Sequence, residues 1–389
     1  MAETVLVTGG TGFIAGWCIV ELLRRGYAVR TTVRDASKET RIRAAIASAG
    51  ANGGDTQLAA QPDTAAGLDG AREHPDATRG RSTNTAAILR AGDPNALTFY
   101  RADLTRDEGW DAAVAGCDYV LHVASPLGGK EALVAPARDG TLRVLKAAVK
   151  ANVKRVVMTS AAAAARPPLE SNRVSDETVW ADPNDPQFDT YRVSKILAER
   201  AGWNAIEGSK TEFTTILPGA VFGPVLSKDN LGSVKIIQGL LKGQPRALPR
   251  IGFWVVDVRD LADLHIKAMT SPAAAGQRFI AAGEFMWMQD MADTLNVPRR
   301  QLPNLLVKLL LPFIPNLKGL APLLGRRFPL TSDKARTVLG FAPRPGATTL
   351  IDCAKSLQDL PAAEAEQPQL VVMEVEKRLT VPHADTRDA

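Results

Sequence analysis

Tyr191-Arg192-Val193-Ser194-Lys195 is the stretch whose residue types and spacing could most directly do chemistry. On a helix, positions four apart share one face. A lysine ammonium beside a phenol favours the phenolate and is expected to lower the tyrosine pKa from its ordinary value near ~10. A phenol tuned in this way can give a proton to a carbonyl oxygen or take one from an alcohol. The lysine can also hold ribose hydroxyls. The plainer alternative is an exposed helix face with a snorkelling lysine. Position favours chemistry: the helix expected over 191–207 follows an apolar strand at 153–159 that runs into Thr159-Ser160.

A second chemical stretch is Thr8-Gly9-Gly10-Thr11-Gly12-Phe13-Ile14-Ala15-Gly16. Ahead of it lies the short apolar run Thr4-Val5-Leu6-Val7, and behind it a helical pattern that stops at Gly26. A turn this tight needs residues without a β-carbon, which also let a ligand approach the backbone. The helix that follows offers free N–H groups and the positive end of its dipole, a seat for a pyrophosphate. Gly10-x-Gly12-x-x-Ala15 fits the G-x-G-x-x-G/A fingerprint of a dinucleotide turn, in the strand-turn-helix context the fingerprint requires. The alternative is a glycine-rich turn that serves only helix packing.

The elements that must position these groups alternate. Strands are expected at 28–33, 97–104, 118–124, 153–159 and 213–217, with helical segments between them, several strands being apolar on both faces. That pattern predicts an α/β, Rossmann-type doubly wound parallel sheet with ligands at the carboxyl ends of its strands. Residues 1–218 read as the dinucleotide-binding domain and 219–360 as a smaller, mostly C-terminal substrate-binding region that partly returns to the first. Thr331-Ser332-Asp333 reads as the cap of a short helix ended by Gly340. Residues 50–95, rich in Gly, Ala, Asp and Arg, read as a low-complexity, disordered insertion, and 361–389 as a flexible tail.

Composition narrows the function classes. With 47 Lys and Arg against 42 Asp and Glu, net +5, and no block of five like charges, the charges read as ordinary solvation and no nucleic-acid arm is expected. Cys18, Cys117 and Cys353 lie far apart, which suggests small buried thiols in a reducing, cytoplasmic compartment and neither a disulfide frame nor a metal site. No secretory leader pattern precedes the first strand. The apolar stretch 305–324 carries Lys308, Lys318 and three prolines, so it reads as an amphipathic cover over a pocket and not as a membrane span. His122, at the end of a buried strand, reads as a hydrogen-bonded core histidine.

Taken together, Thr8-Gly9-x-x-Gly12-Phe13-Ile14-Ala15, Asp103-Leu104, Tyr191-x-x-x-Lys195 and Leu217-Pro218-Gly219-x-Val221-x-Gly223-Pro224 resemble the extended short-chain dehydrogenase/reductases. Thr31-Thr32-Val33-Arg34, His122-Val123-Ala124-Ser125-Pro126 and Val256-Asp257-Val258-Arg259-Asp260 are similar to the dihydroflavonol-4-reductase-like group, which includes cinnamoyl-CoA reductases and microbial aldehyde or ketone reductases. The resemblance implies that Gly9, Gly12, Phe13 and Ile14 line a pyrophosphate, that Asp103 and Leu104 flank an adenine, and that Ala124 and Ser125 lie near a ribose. It implies Tyr191 as the acid, Lys195 as its modulator, and Pro218 and Val221 against a nicotinamide amide. It also exposes a departure. The family ends its fifth strand in Thr-Ser-Ser, and the second serine holds the substrate carbonyl. Here the corresponding position is Ala161, so Ser160, or Thr159, takes that role if the strand end shifts by one residue; otherwise Ser160 only caps the strand.

Cofactor choice follows from charge. An NAD site places a carboxylate on the adenosine 2′-hydroxyl at the end of the second strand. Here Arg34 ends it, with Lys38 four residues on, and two cations suit the 2′-phosphate of NADP(H). Asp35 is the counter-signal. The resulting expectation is an NADP-dependent reductase of a small ketone or aldehyde, monomeric or homodimeric. Its rivals are a nucleotide-sugar epimerase or dehydratase, a hydroxysteroid dehydrogenase, and a non-catalytic NADP-binding regulator.

Overall fold

The computed structural model describes residues 2–52, 93, 96–126, 133–168, 171–310 and 321–360. The expectations for most of 50–95, for 361–389 and for much of the 305–324 cover therefore fall outside the described residues.

The first half alternates strictly: β1 (Thr4–Val7), α1 (Phe13–Arg24), β2 (Ala28–Val33), α2 (Glu39–Asn52), β3 (Leu97–Arg101), α3 (Trp110–Val114), β4 (Tyr119–His122), α4 (Val134–Lys150), β5 (Arg155–Thr159), α5 (Thr190–Ile206) and β6 (Glu212–Pro218). The second half holds β7 (Ala220–Phe222), α6 (Val234–Leu241), β8 (Ala247–Leu248), β9 (Gly252–Asp257), α7 (Val258–Thr270), β10 (Arg278–Ala281), β11 (Phe285–Trp287), α8 (Met288–Thr294), β12 (Arg300–Gln301), α9 (Asn304–Leu310), α10 (Asp333–Leu339) and α11 (Gly346–Asp359).

Among the described residues the main sheet has seven parallel strands in the order β10-β6-β5-β4-β1-β2-β3. Strand order reverses between β1 and β4, which opens a crevice at their carboxyl ends, where a dinucleotide sits in this class of sheet. Sequence reading found six of these strands and missed β10. Its four residues are fully buried and include one charge, Arg278, so neither length nor alternation marks them.

The pleat sorts the core with period two. Val5, Val7, Leu121, Val157 and Ile216 face α1 and α7 on one side. Leu6, Val120, Val156, Met158 and Phe213 face α3, α4 and α5 on the other. A third core gathers Phe222, Ile237, Leu240, Val255 and Leu350 around the small β11-β9-β7 sheet, and Phe13 packs against both this core and the first.

Gly340 ends α10 in the left-handed conformation (φ 61°), as its position suggested. Ser332 does not cap that helix through its side chain; its hydroxyl is bonded instead to the N–H and carbonyl of Ala282 at the end of β10, each at 3.0 Å. The three cysteines are free and buried.

Two imidazoles are locked in this core. The Thr141 hydroxyl donates to Ala137 O at 2.9 Å, so it accepts from His122 Nε2 at 3.1 Å. His122 Nδ1 is then the bare nitrogen and accepts from Thr8 Oγ1 at 3.1 Å. His265 donates through Nδ1 to Leu261 O and accepts at Nε2 from the Thr159 hydroxyl, both at 2.7 Å. Burial pushes His122 down to about 3 and His265 down to about 4. Both values lie below the unfolded value of 6.5, so their contribution to stability is complete above about pH 6.5 and is lost as pH falls towards 4. Each is expected to steepen the loss by up to ~1.4 kcal/mol per pH unit. Urea unfolding of wild type and His265→Gln at pH 7 and pH 5 checks this: the variant should lose less stability between the two, and equal losses would contradict it.

Candidate active site

Thr8 fastens the glycine turn to β4. Its Oγ1 accepts the backbone N–H groups of Val123 (3.0 Å) and Ala124 (2.9 Å) while its proton goes to His122. Gly9 lies at φ 76°, and a β-carbon there would stand 3.0 Å from Ala124 Cβ. At Gly10 a β-carbon would come within 2.5 Å of Thr31 Oγ1. The Gly9 N–H is held by Thr32 Oγ1 and the Gly10 N–H by Thr32 O, both at 2.9 Å. Gly12 caps α1 with no side-chain bond, so the first turn of that helix keeps N–H groups for an anion. This is a cradle that fits a pyrophosphate.

From the far side, residues of the second half lean over the turn. Leu226 reaches the space beside Gly16, and Asn230 Nδ2 lies 3.4 Å from Thr11 O. Asp229 pairs with Arg41 of α2, and the Trp17 indole donates to Pro224 O at 2.7 Å. Gly10, Gly12, Arg41, Ile42, Leu226 and Asp229 line one cleft. Arg41 went unread in the sequence, although it is the third cation in the series Arg34, Lys38, Arg41.

Beyond β2, Arg34 is exposed and Lys38 half-buried. Asp35 spends its carboxylate on the turn that follows, accepting from Ser37 N at 2.9 Å; its bonds to Ser37 hold it below the usual carboxylate range. After β3, burial pushes the Asp103 carboxyl up, but bonds from the Thr105 N–H and hydroxyl and the nearby Arg34 charge leave it below its ordinary value. Leu104 packs where a β-carbon on Gly140 of α4 would otherwise stand. Ala124 and Ser125 follow β4, and Pro218 closes β6, with Val221 buried in β7. The expected cofactor residues thus collect at or just beyond the carboxyl ends of the parallel strands, Phe13 and Ile14 opening α1 and Val221 lying one strand on.

Asp189 caps α5, accepting from Arg192 N at 2.8 Å, and so fixes where Tyr191 enters the helix. Lys195 is buried and its Nζ donates to Thr159 O, the last residue of β5, at 2.9 Å. Burial pulls the Lys195 ammonium down to about 8, with Glu199 opposing. Tyr191 departs from expectation. Its phenol is raised above the ordinary value, chiefly by burial, and Lys195 does not offset this because the ammonium is directed to the Thr159 carbonyl. The phenol is therefore protonated at neutral pH, the form that can donate.

Ser160 is also placed differently from the substrate-facing role read for it. Its hydroxyl is buried and donates to Glu199 Oε2 at 2.6 Å, leaving no proton for a substrate oxygen. Thr159 is equally engaged, its hydroxyl being given to His265. Ala161 follows in extended conformation and supplies no side-chain donor. Glu199 was missed in the sequence, although it continues the four-residue series from Tyr191 through Lys195.

A parallel sheet with a glycine cradle at its switch point and a tyrosine–lysine pair beside it defines a dinucleotide-binding α/β protein of the reductase–epimerase type. The chain belongs to the NAD dependent epimerase/dehydratase family, which it matches over residues 5–282. This bears out the resemblance to the extended short-chain dehydrogenase/reductases. It is 31% identical over 288 residues to cinnamoyl-CoA reductase CAD2 of Medicago truncatula, covering 71% of this chain and 75% of that protein. It is 31% identical over 308 residues to dihydroflavonol 4-reductase of Dianthus caryophyllus, covering 75% and 72%. In fold it is similar to Gre2 of Candida albicans, solved in complex with NADPH, with a TM-score of 0.68 at 24% identity, covering 92% of this chain and 99% of that one.

The left-handed Gly9 against Ala124 yields a direct test. Gly9→Ala adds backbone strain of roughly 1–2 kcal/mol and pushes the turn away from β4. NADPH affinity, followed by tryptophan fluorescence, is expected to fall about tenfold or more. Unchanged affinity would mean that the turn serves packing alone.

Proposed function

We propose that this protein is an NADP-dependent reductase that converts a ketone or aldehyde to an alcohol. The observation that carries the reading is the α5 face: a protonated Tyr191 one helical turn before a buried Lys195 that is anchored on the end of β5. The relatives whose names describe reductases support it.

The residues fit a dinucleotide. Gly9, Gly10 and Gly12 provide a cradle that a β-carbon would fill, α1 has an uncapped first turn, and Arg34 makes no hydrogen bond or ion pair among the described residues. Arg34 and Lys38 would hold the 2′-phosphate, since Asp35 is committed to the Ser37 turn. Asp103 and Leu104 would flank the adenine, Ala124 and Ser125 the ribose, and Pro218 and Val221 the nicotinamide amide. The cofactor would supply a hydride to the carbonyl carbon. Tyr191 would donate its proton to the carbonyl oxygen, and Lys195, one helical turn on and anchored at the end of β5, would hold the adjacent ribose hydroxyls. Catalysis then rests on positioning and on charge placed where it develops. Ser160 steadies Glu199, so Tyr191 is the principal donor to the oxygen.

NADPH oxidation measured over a panel of aldehydes, ketones and dihydroflavonols tests the reading. Tyr191→Phe is expected to lower kcat on the best substrate by about 10²–10⁴; a variant that matches wild type refutes the mechanism. Turnover of nucleotide sugars in place of simple carbonyls would favour an epimerase.

Two further outcomes follow from charge. Lys195 is cationic below about 8 and neutral above it, so kcat/KM should fall as pH rises through about 8, visible in a pH–rate profile. Arg34→Ala should weaken NADPH binding by about 1.5–3 kcal/mol and leave NADH binding nearly unchanged. Equal effects on the two cofactors would place the 2′-phosphate elsewhere.

A further inference from the structure

Beneath the Tyr191–Lys195 face lies a closed ionic cluster that the reaction as described does not use. Glu199 is fully buried and accepts from Arg278 Nε (2.8 Å) and Thr215 Oγ1 (2.8 Å) at Oε1, and from Ser160 Oγ (2.6 Å) and Arg278 Nη2 (3.4 Å) at Oε2. Arg278 spends its other donors on Glu177 O (2.9 Å), Val179 O (2.7 Å) and Ala164 O (3.2 Å), and its guanidinium lies 3.8 Å over the Trp180 ring. One carboxylate and one guanidinium thereby tie α5 to Ser160 just past β5, to Thr215 within β6, to the start of β10, and to the backbone at Ala164, Glu177 and Val179.

We propose that Glu199 and Arg278 are positioning residues for the reaction: the pair fixes the Lys195 ammonium at the end of β5 and keeps it charged. This rests on the functional reading above and deepens it. Stability alone gives little reason for such a pair, because buried ion pairs can often be replaced by apolar groups at no loss. Its geometry gives a better one. Tyr191, Lys195 and Glu199 succeed one another at four-residue steps along one helix face. Glu199 is held at both oxygens, so that face cannot slide or roll against β5. The groups around Lys195 leave Glu199 as its counter-charge. From β4 comes His122, which is neutral; from β5 comes the Thr159 carbonyl; from α5 itself come Tyr191, protonated, and Glu199. Arg278, from β10, meets Lys195 only through Glu199. The pair is therefore a balance whose two halves act on Lys195 with opposite sign.

That opposition is what an experiment can read. NADPH affinity by fluorescence and kcat/KM are measured from pH 6 to 10 in wild type, Glu199→Gln, Arg278→Gln and the double variant. Wild type should lose both as pH rises through about 8. Glu199→Gln leaves Arg278 uncompensated and should move this limb to lower pH by about one unit; Arg278→Gln leaves the carboxylate and should move it up by about as much. The double variant should return close to wild type. Limbs that stay put, or single variants that shift the same way, overturn the proposal. Should a single variant fail to fold, Glu199→Asp takes its place: with charge kept and reach shortened, the limb should hold while kcat falls at little-changed KM, and a moved limb overturns the proposal. Ser160→Ala, which removes one neutral bond to Glu199, should cost less than tenfold in kcat; a loss of a hundredfold would place that hydroxyl on the substrate and overturn the arrangement. Because NADPH affinity needs no turnover, this test stands even if no carbonyl is reduced. A wild type that binds no NADPH would fail the functional reading first.

Discussion

An ammonium enclosed by protein governs the arrangement of this molecule's working end. Removing a charge from water is unfavourable by several kcal/mol unless dipoles and an opposite charge replace the lost hydration. Lys195 receives the Thr159 carbonyl directly and a carboxylate one turn further along its own helix. Each of those partners is fixed in turn. The Thr159 hydroxyl is committed to His265 on α7, and Glu199 is committed to β6, β10 and Ser160. The position of Lys195 at the end of β5 is thus determined by groups on both faces of the sheet.

The cradle at the other side of the crevice is built on a different economy, with short neutral bonds in place of ions. Thr8 alone satisfies two backbone N–H groups at the end of β4 and one nitrogen of His122. With every proton in that chain assigned, the glycines stay where their missing side chains matter. The two devices meet at β4: His122 underlies the turn, and its neutrality also keeps a second cation away from Lys195.

Much of this was legible in the sequence because it rests on local rules. Gly9 and Gly10 announce a turn that only glycine tolerates, Tyr191 and Lys195 announce a shared helix face, and alternating apolar runs announce six of the seven parallel strands. What escaped was non-local. β10 is short and buried on all sides, and its one charge argues against a strand until its partner Glu199 is seen. The tyrosine's raised pKa depends on where the lysine amine points, which spacing cannot tell. The expectation that Ser160 faces the substrate rests on a one-residue shift at the strand end that would move it into the position Ala161 holds. Here the pleat turns it onto α5, opposite in sense to Thr159, which meets α7.

The lean of residues 224–230 over the glycine turn has a consequence for the chain's modularity. Leu226 and Asp229 complete a cleft whose floor lies some two hundred positions earlier in the sequence, β10 completes the sheet beneath it, and α7 packs against that sheet's core. A cut after Pro218 would therefore pass through this cleft and the central core. Residues 1–218 are thus not a cassette that recombination could lift out and graft elsewhere. Variation in residues 219–360 must arise by changes between elements that already share one core with the first half.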